Sequence, residues 1–184
     1  MTVVISMLRG INVGSHNRIT MDALSALYRS LELREPETYV QSGNVVFTTG
    51  ERNLVKLGKV IETGIERRFG FRPQVILRTT SDLRDVVARN PFAKRRDIES
   101  GKLLVTFLAT DPGPETCDQI LRIKPDPEEV RLHGRELYIY FPNGMGRSKL
   151  PALLEKILKK SGTARNWNTV SKLLEIAERL ESSD

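Results

Sequence analysis

Two short stretches in the first quarter of the chain have the residue types of a ligand-binding turn. Leu8-Arg9-Gly10-Ile11-Asn12-Val13-Gly14 and Gln41-Ser42-Gly43-Asn44 each set glycine among polar side chains beside an apolar run. Such turns present backbone and side-chain amides to a ligand. Arg9 and Asn12 offer a positive charge and an amide to orient it, and Ser42 and Asn44 offer a hydroxyl and a second amide. The same residue types also bond their own backbone in turns, so that role stands open beside the ligand role.

A second pair of stretches lies near the other end: Asn143-Gly144-Met145-Gly146-Arg147-Ser148-Lys149 and Arg165-Asn166-Trp167-Asn168. A glycine-rich loop entering a helix leaves amides unpaired at the helix start. Arg147 and Lys149 add charge there, Ser148 can cap, and Arg165 and Asn166 can join them, so an anion such as phosphate is the expected guest. Neither a phosphate loop nor a dinucleotide fingerprint is present, because Gly10 has no glycine five positions on and Gly144-Met145-Gly146 lacks the third glycine. A plain turn capped by Ser148 is the competing reading.

Other chemistry is sparse. His16, beside Gly14-Ser15, is the one histidine near a candidate site, and no Ser/Asp partner or carboxylate pair completes a catalytic set, so catalytic residues stay unassigned. Cys117 is the single cysteine and His133 the only other histidine. That rules out an internal disulfide and a structural zinc site, and no metal or cofactor is expected. Tyr138 and Tyr140 alternate with Leu137, Ile139 and Phe141 on one sheet face, as in RNA-recognition domains, but the basic aromatic motif of those domains is absent. Trp167 can stack on a ring or fill a core. A formal charge of +6 and a pI near 9.6 favour polyanionic partners. Lys156, Lys159 and Lys160, with Arg147, Lys149 and Arg165, concentrate that charge near the C-terminus against Glu155 alone.

These residues need elements to position them. At 184 residues, with 39% hydrophobic and 28% charged, the chain can bury one core or two small ones. The run Met1 to Ser6 lacks a basic leader and is too short for a signal peptide or a membrane span, which predicts a cytoplasmic protein. Val3 to Leu8 reads as a central strand. Thr20 caps a helix with Met21, Leu24, Leu27, Tyr28 and Leu31 on one face. Thr38 to Gln41 and Asn44 to Thr48 form a hairpin about Ser42-Gly43. Leu54, Leu57, Ile61 and Ile65 mark a helix that Gly70 stops, followed by a strand over Gln74 to Leu77 and a helix capped by Thr80-Ser81-Asp82.

The second half repeats this order. Leu103 to Leu108 is a strand, Pro114 opens a helix carrying Cys117, and Glu129 to Leu132 and Glu136 to Phe141 flank a His133-Gly134-Arg135 turn. Ser148 caps a helix with Leu150, Leu153, Leu154 and Ile157 inward. Ala164 to Trp167 is a strand, and Thr169 begins the last helix with Val170, Leu173, Leu174 and Ala177 on one face. The fold class is therefore α+β, two tandem ferredoxin-like βαββαβ halves each followed by an extra helix. The predicted boundaries are 1–91, a connecting segment 92–101, and 102–184. The topology sets the end of the first strand beside the hairpin turn, Arg9 and Asn12 next to Ser42 and Asn44, and gathers Arg147, Ser148 and Lys149 at one rim with Arg165 and Asn166.

Leu8 to Gly14, Tyr39 to Phe47, Gly144 to Leu150 and Arg165 to Thr169 together resemble the bacterial "domain of unknown function 1697" family, in the family's order and over most of the chain. Ser15 stands where the family is expected to carry a second glycine. The resemblance implies an α+β protein of two ferredoxin-like halves and no established activity. Residues and resemblance together lead to a binding protein for a phosphate-bearing or other anionic ligand, either a small molecule or nucleic acid such as RNA. The alternative is an enzyme acting on a small anionic substrate in a cleft between the halves.

Overall fold

The computed structural model describes residues 1–159 and 161–183; Lys160, one of the basic residues named above, lies outside them. The chain divides into two compact units, Met1–Asp85 with Ser171–Asp184, and Val86–Val170.

The first unit runs β1 (Thr2–Leu8), α1 (Met21–Ser30), β2 (Arg34–Tyr39), β3 (Asn44–Thr49), α2 (Leu54–Phe69), β4 (Val75–Thr79) and the start of α3 (Thr80–Ala88). Its four strands form an antiparallel sheet in the order β2-β3-β1-β4. One face carries Val4, Leu8, Val45, Phe47, Val75 and Leu77, packed with Leu24, Leu27 and Tyr28 of α1 and Leu57, Ile61 and Ile65 of α2. The helix positions are the apolar stripes read from spacing, each side chain contributing about 1.5–3 kcal/mol on burial. Thr20 Oγ1 caps α1 through the Ala23 amide, Asn53 caps α2 through that of Lys56, and Gly70, with φ of 80°, ends α2.

Two local readings shift. Strand β2 begins at Arg34, before the predicted Thr38, because a register shift between Arg34 and Glu37 lets Pro36 sit in an edge strand. The cap of α3 is Thr79 rather than Thr80. Its hydroxyl accepts from the Asp82 amide while the Asp82 carboxylate accepts from the Thr79 amide and hydroxyl.

The second unit runs from the end of α3 through a 3₁₀ turn (Ser100–Lys102) to β5 (Leu103–Phe107), α4 (Pro114–Leu121), β6 (Glu129–His133), β7 (Glu136–Tyr140), α5 (Leu150–Ile157) and β8 (Thr163–Asn166). Its sheet is again antiparallel, ordered β6-β7-β5-β8. Leu137, Ile139 and Phe141 pack with Ile120 of α4 and Leu150 and Leu154 of α5. Helix α6 (Trp167–Ser183) starts two residues before the predicted Thr169, taking Trp167 out of the strand, and its buried face is Val170, Leu173, Ile176 and Ala177.

The registers of the two sheets match. Ile5 pairs with Val46 and Arg78 as Val105 pairs with Tyr138 and Arg165. The Leu8 amide donates to the Gly43 carbonyl as the Leu108 amide donates to that of Arg135, both at 2.9 Å. Phe92, in the predicted connecting segment, is buried with the guanidinium groups of Arg95 and Arg131 5.7 and 5.9 Å from its ring centroid. Arg95 in turn bridges Asp97 and Glu129.

Candidate functional site

The first cluster is assembled as the strand order requires. With the Leu8 amide bonded to Gly43 and the Arg9 amide bonded to the Gln74 carbonyl at 2.9 Å, the loop after β1 lies beside the β2–β3 turn. Asn12 fastens the two together. Its Nδ2 donates to the carbonyls of Ile19 (2.9 Å) and Gln41 (2.7 Å), and its Oδ1 accepts from the Ile19 amide at 2.9 Å. Both amide hydrogens are spent inside the loop, and none is left to donate to an anion. Asn12 has φ of 54°, a left-handed conformation that asparagine tolerates better than most residues.

Across the turn, the Asn44 side chain is fully buried and its Nδ2 donates to the Tyr39 carbonyl and to Ser42 Oγ, each at 3.0 Å. Gly43 has φ of 78°, and a Cβ there would stand 2.4 Å from Ile11 Cδ1. The packing of Ile11 under the turn therefore requires glycine. Arg9 is half-buried, whereas Val13 and His16 on the loop are exposed. This cluster is a well-bonded frame in which Asn44 is buried, Arg9 and Asn12 are half-buried, and Ser42 is exposed.

The second cluster has a different character. Two successive turns, closed by Gly144 N–H to the Phe141 carbonyl (2.9 Å) and Ser148 N–H to the Met145 carbonyl (3.1 Å), carry the chain from β7 to α5. Asn143, Gly144, Gly146, Arg147, Ser148 and Lys149 of this loop line a groove of about 1100 Å³ together with residues 123–128, Leu150 and Leu153. Leu153 was expected inward; it is 44% exposed and lines the groove instead.

The start of α5 is less open to an anion than the loop composition implies. Ser148 Oγ already accepts from the Leu150 amide at 3.1 Å, and Pro151 contributes no N–H. Side-chain charge, not free backbone amides, is what the site offers. Arg147 and Lys149 are both exposed, and among the described residues neither has an ion pair.

Arg165 and Asn166 end β8 at the same end of the sheet as this loop, since Tyr140 pairs opposite Leu103 and Asn166 opposite Leu104. Neither lines the groove. Strand β5 lies between β7 and β8, Arg165 is 7% exposed with NH1 donating to Thr163 Oγ1 (2.7 Å) and the Ala164 carbonyl (2.8 Å), and Asn166 Oδ1 caps α6 through the Thr169 amide at 2.9 Å. Burial presses the Arg165 guanidinium down to about 10. Tyr138 and Tyr140 are buried and donate to the carbonyls of Val86 (2.7 Å) and Asp97 (3.0 Å), so that face is not displayed for stacking.

The groove also contains residues that the motif search passed over: Lys124, Asp126 and Glu128 in the connection between α4 and β6. Their signal in the sequence is a charge at every second position, alternating with two prolines, Lys124-Pro125-Asp126-Pro127-Glu128. A smaller groove of about 540 Å³ follows α2 past Val55, Lys59 and Val60 and contains none of the motif residues. Among the described residues no three His, Cys, Asp or Glu side chains gather as a metal site requires, and no helix is long and apolar enough to cross a membrane.

Comparison with solved structures finds the conserved bacterial protein SP0830 from Streptococcus pneumoniae, similar over 97% of this chain and 99% of that one, with a TM-score of 0.78 and 22% identity. At that identity the likeness is one of fold. No curated protein matches the chain. A family model described as "Protein of unknown function (DUF1697)" matches residues 1–138. The first two motifs, over 8–14 and 39–47, fall inside that stretch, and the loop over 144–150 and the segment 165–169 lie beyond it. The chain thus belongs to the DUF1697 family.

Proposed function

We propose that the protein binds a phosphate-bearing ligand in the groove of its second unit, with Arg147 and Lys149 as the charged contacts and Ser148 at the groove wall. The observation that carries this reading is two exposed cations, without an ion pair among the described residues, on a short glycine-bearing loop that lines a groove of ligand size. Arg9, Asn12, Ser42, Asn44, Arg165 and Asn166 then serve as framework, because the hydrogen bonds of Asn12, Asn44 and Asn166 and the burial of Arg165 commit them to the fold. We also read the two units as ferredoxin-like repeats from a duplication. The shared strand order, the matching Leu8–Gly43 and Leu108–Arg135 bonds, and the arginines in register at 78 and 165 support that reading. The cytoplasm is the expected setting, where phosphorylated metabolites abound and a lone thiol such as Cys117 stays reduced.

The test is direct. Titration with inorganic phosphate and with mononucleotides at low salt, followed by backbone amide shifts, is expected to move Gly144 to Leu150. The Arg147→Ala/Lys149→Ala variant is expected to abolish the response and to reduce retention on phosphate-bearing resin. Equal retention of the variant and the parent removes the proposal.

A further inference from the structure

The groove of the second unit is lined by charges of both signs. Arg147 and Lys149 come from the loop before α5, whose groove-lining residues include no carboxylate, whereas Asp126 and Glu128 come with Lys124 from the connection after α4. Among the described residues none of these five side chains takes part in an ion pair, either with one another or with anything else. Opposite charges sharing one groove and left unneutralised suit a ligand that brings its own two ends. The lining also has apolar members, Ile123, Leu150 and Leu153, of which Leu153 is half-exposed and able to cover a flat ring.

Resting on the anion-binding reading above, we infer that this groove takes a small bipolar ligand, a phosphate at one end and N–H donors at the other, the size of a nucleoside monophosphate with an amino-bearing base. An ionised carboxylate only accepts hydrogen bonds, so Asp126 and Glu128 call for donors. The exocyclic amines of guanine and cytosine supply them, as they do wherever Asp or Glu reads a base edge. The same carboxylates repel a phosphate. A continuous nucleic-acid backbone laid along the groove would bring one phosphate to Arg147 and Lys149 and the next ones toward Asp126 and Glu128, so the net positive charge of the chain does not make this groove an RNA track. A volume of about 1100 Å³ accommodates a mononucleotide with its hydration.

The intact protein is titrated with inorganic phosphate, with GMP against IMP, with CMP against UMP, and with a single-stranded RNA oligomer. The second member of each nucleotide pair lacks the exocyclic amine. The expected result is a preference of about tenfold for GMP over IMP and for CMP over UMP, in line with one hydrogen bond to a charged group. The Asp126→Asn/Glu128→Gln variant is expected to lose that preference, to bind inorganic phosphate no more weakly than the parent, and to bind the RNA oligomer more tightly. If the members of each pair bind the parent equally, with an affinity that still depends on Arg147 and Lys149, this inference falls and the anion reading stands. If no probe binds in an Arg147- and Lys149-dependent way, both fall. RNA binding tighter than any mononucleotide, unchanged in the Asp126→Asn/Glu128→Gln variant, also overturns it.

Discussion

At the scale of single residues, the two sets of turn motifs are built differently from similar residue types. Asn12 and Gly43 hold one loop against one turn, and their replacement is expected to cost stability. Gly43→Ala forces a left-handed alanine whose methyl overlaps Ile11, a loss of about 2–4 kcal/mol read from the denaturant midpoint. Asn12→Ala removes three hydrogen bonds, two of them part-buried, about 2 kcal/mol by the same measurement. Tyr28 makes a prediction in pH. Its hydroxyl is buried against Ser6 Oγ at 2.7 Å, and burial, opposed in part by that hydrogen bond, raises its pKa above the ordinary 10.0. The unfolded phenol ionises first, so the contribution of Tyr28 is intact below pH 10 and is lost as the pH climbs above it. Stability of Tyr28→Phe is therefore expected to fall less steeply than that of the parent between pH 10 and 11 in urea titrations. Arg165 shows where single residues misled. In the four-residue strand Thr163-Ala164-Arg165-Asn166 no apolar alternation marks the inner face, and the longest, most polar side chain is one that points inward.

At the scale of elements, spacing was a good guide wherever a stripe of aliphatic residues met a cap. Helix α1 begins after the predicted cap Thr20 and α2 ends at the predicted Gly70, whereas Asn53, which caps α2, went unread. Composition hid β2, since Arg34-Glu35-Pro36-Glu37 reads as solvated loop, and only pairing with β3 through a shifted register makes it a strand. Leu153 fits the inward stripe of α5 but lies on its groove side, because the helix buries only Leu150 and Leu154 fully. The groove itself was half legible: the glycine loop announced itself, and the Pro-flanked segment opposite in sign did not. Phe92 was passed over for a related reason. A lone aromatic between one proline and a run of basic residues carries no periodicity, yet two guanidinium groups and the Tyr140 ring, 6.3 Å away, fix it. Phe92→Ala is expected to cost about 3–5 kcal/mol, and Phe92→Leu clearly less, when measured by thermal unfolding.

At the scale of the molecule, α6 supplies residues to both units, and from Ser171 onward it belongs with the first. Arg84 bridges Glu178 and Glu181, and Arg179 bridges Glu37, all on partly exposed side chains. Exposed, solvent-screened pairs of that kind add little, so the attachment rests mainly on the buried Leu173, Ile176 and Ala177. Shortening the chain after Val170 is expected to raise hydrogen exchange in β2 and α3, far away in sequence, before it raises exchange in β5 and β7. Protection lost first in β5 and β7 would count against this division of the fold.

The discontinuity also orders events on the ribosome. Residues 86–170 form one uninterrupted unit and can close as soon as they clear the exit tunnel. The earlier-made residues 1–85 must wait for 171–183 before their own unit is complete. Of the two units, the one whose strands are made earlier is therefore the one completed later.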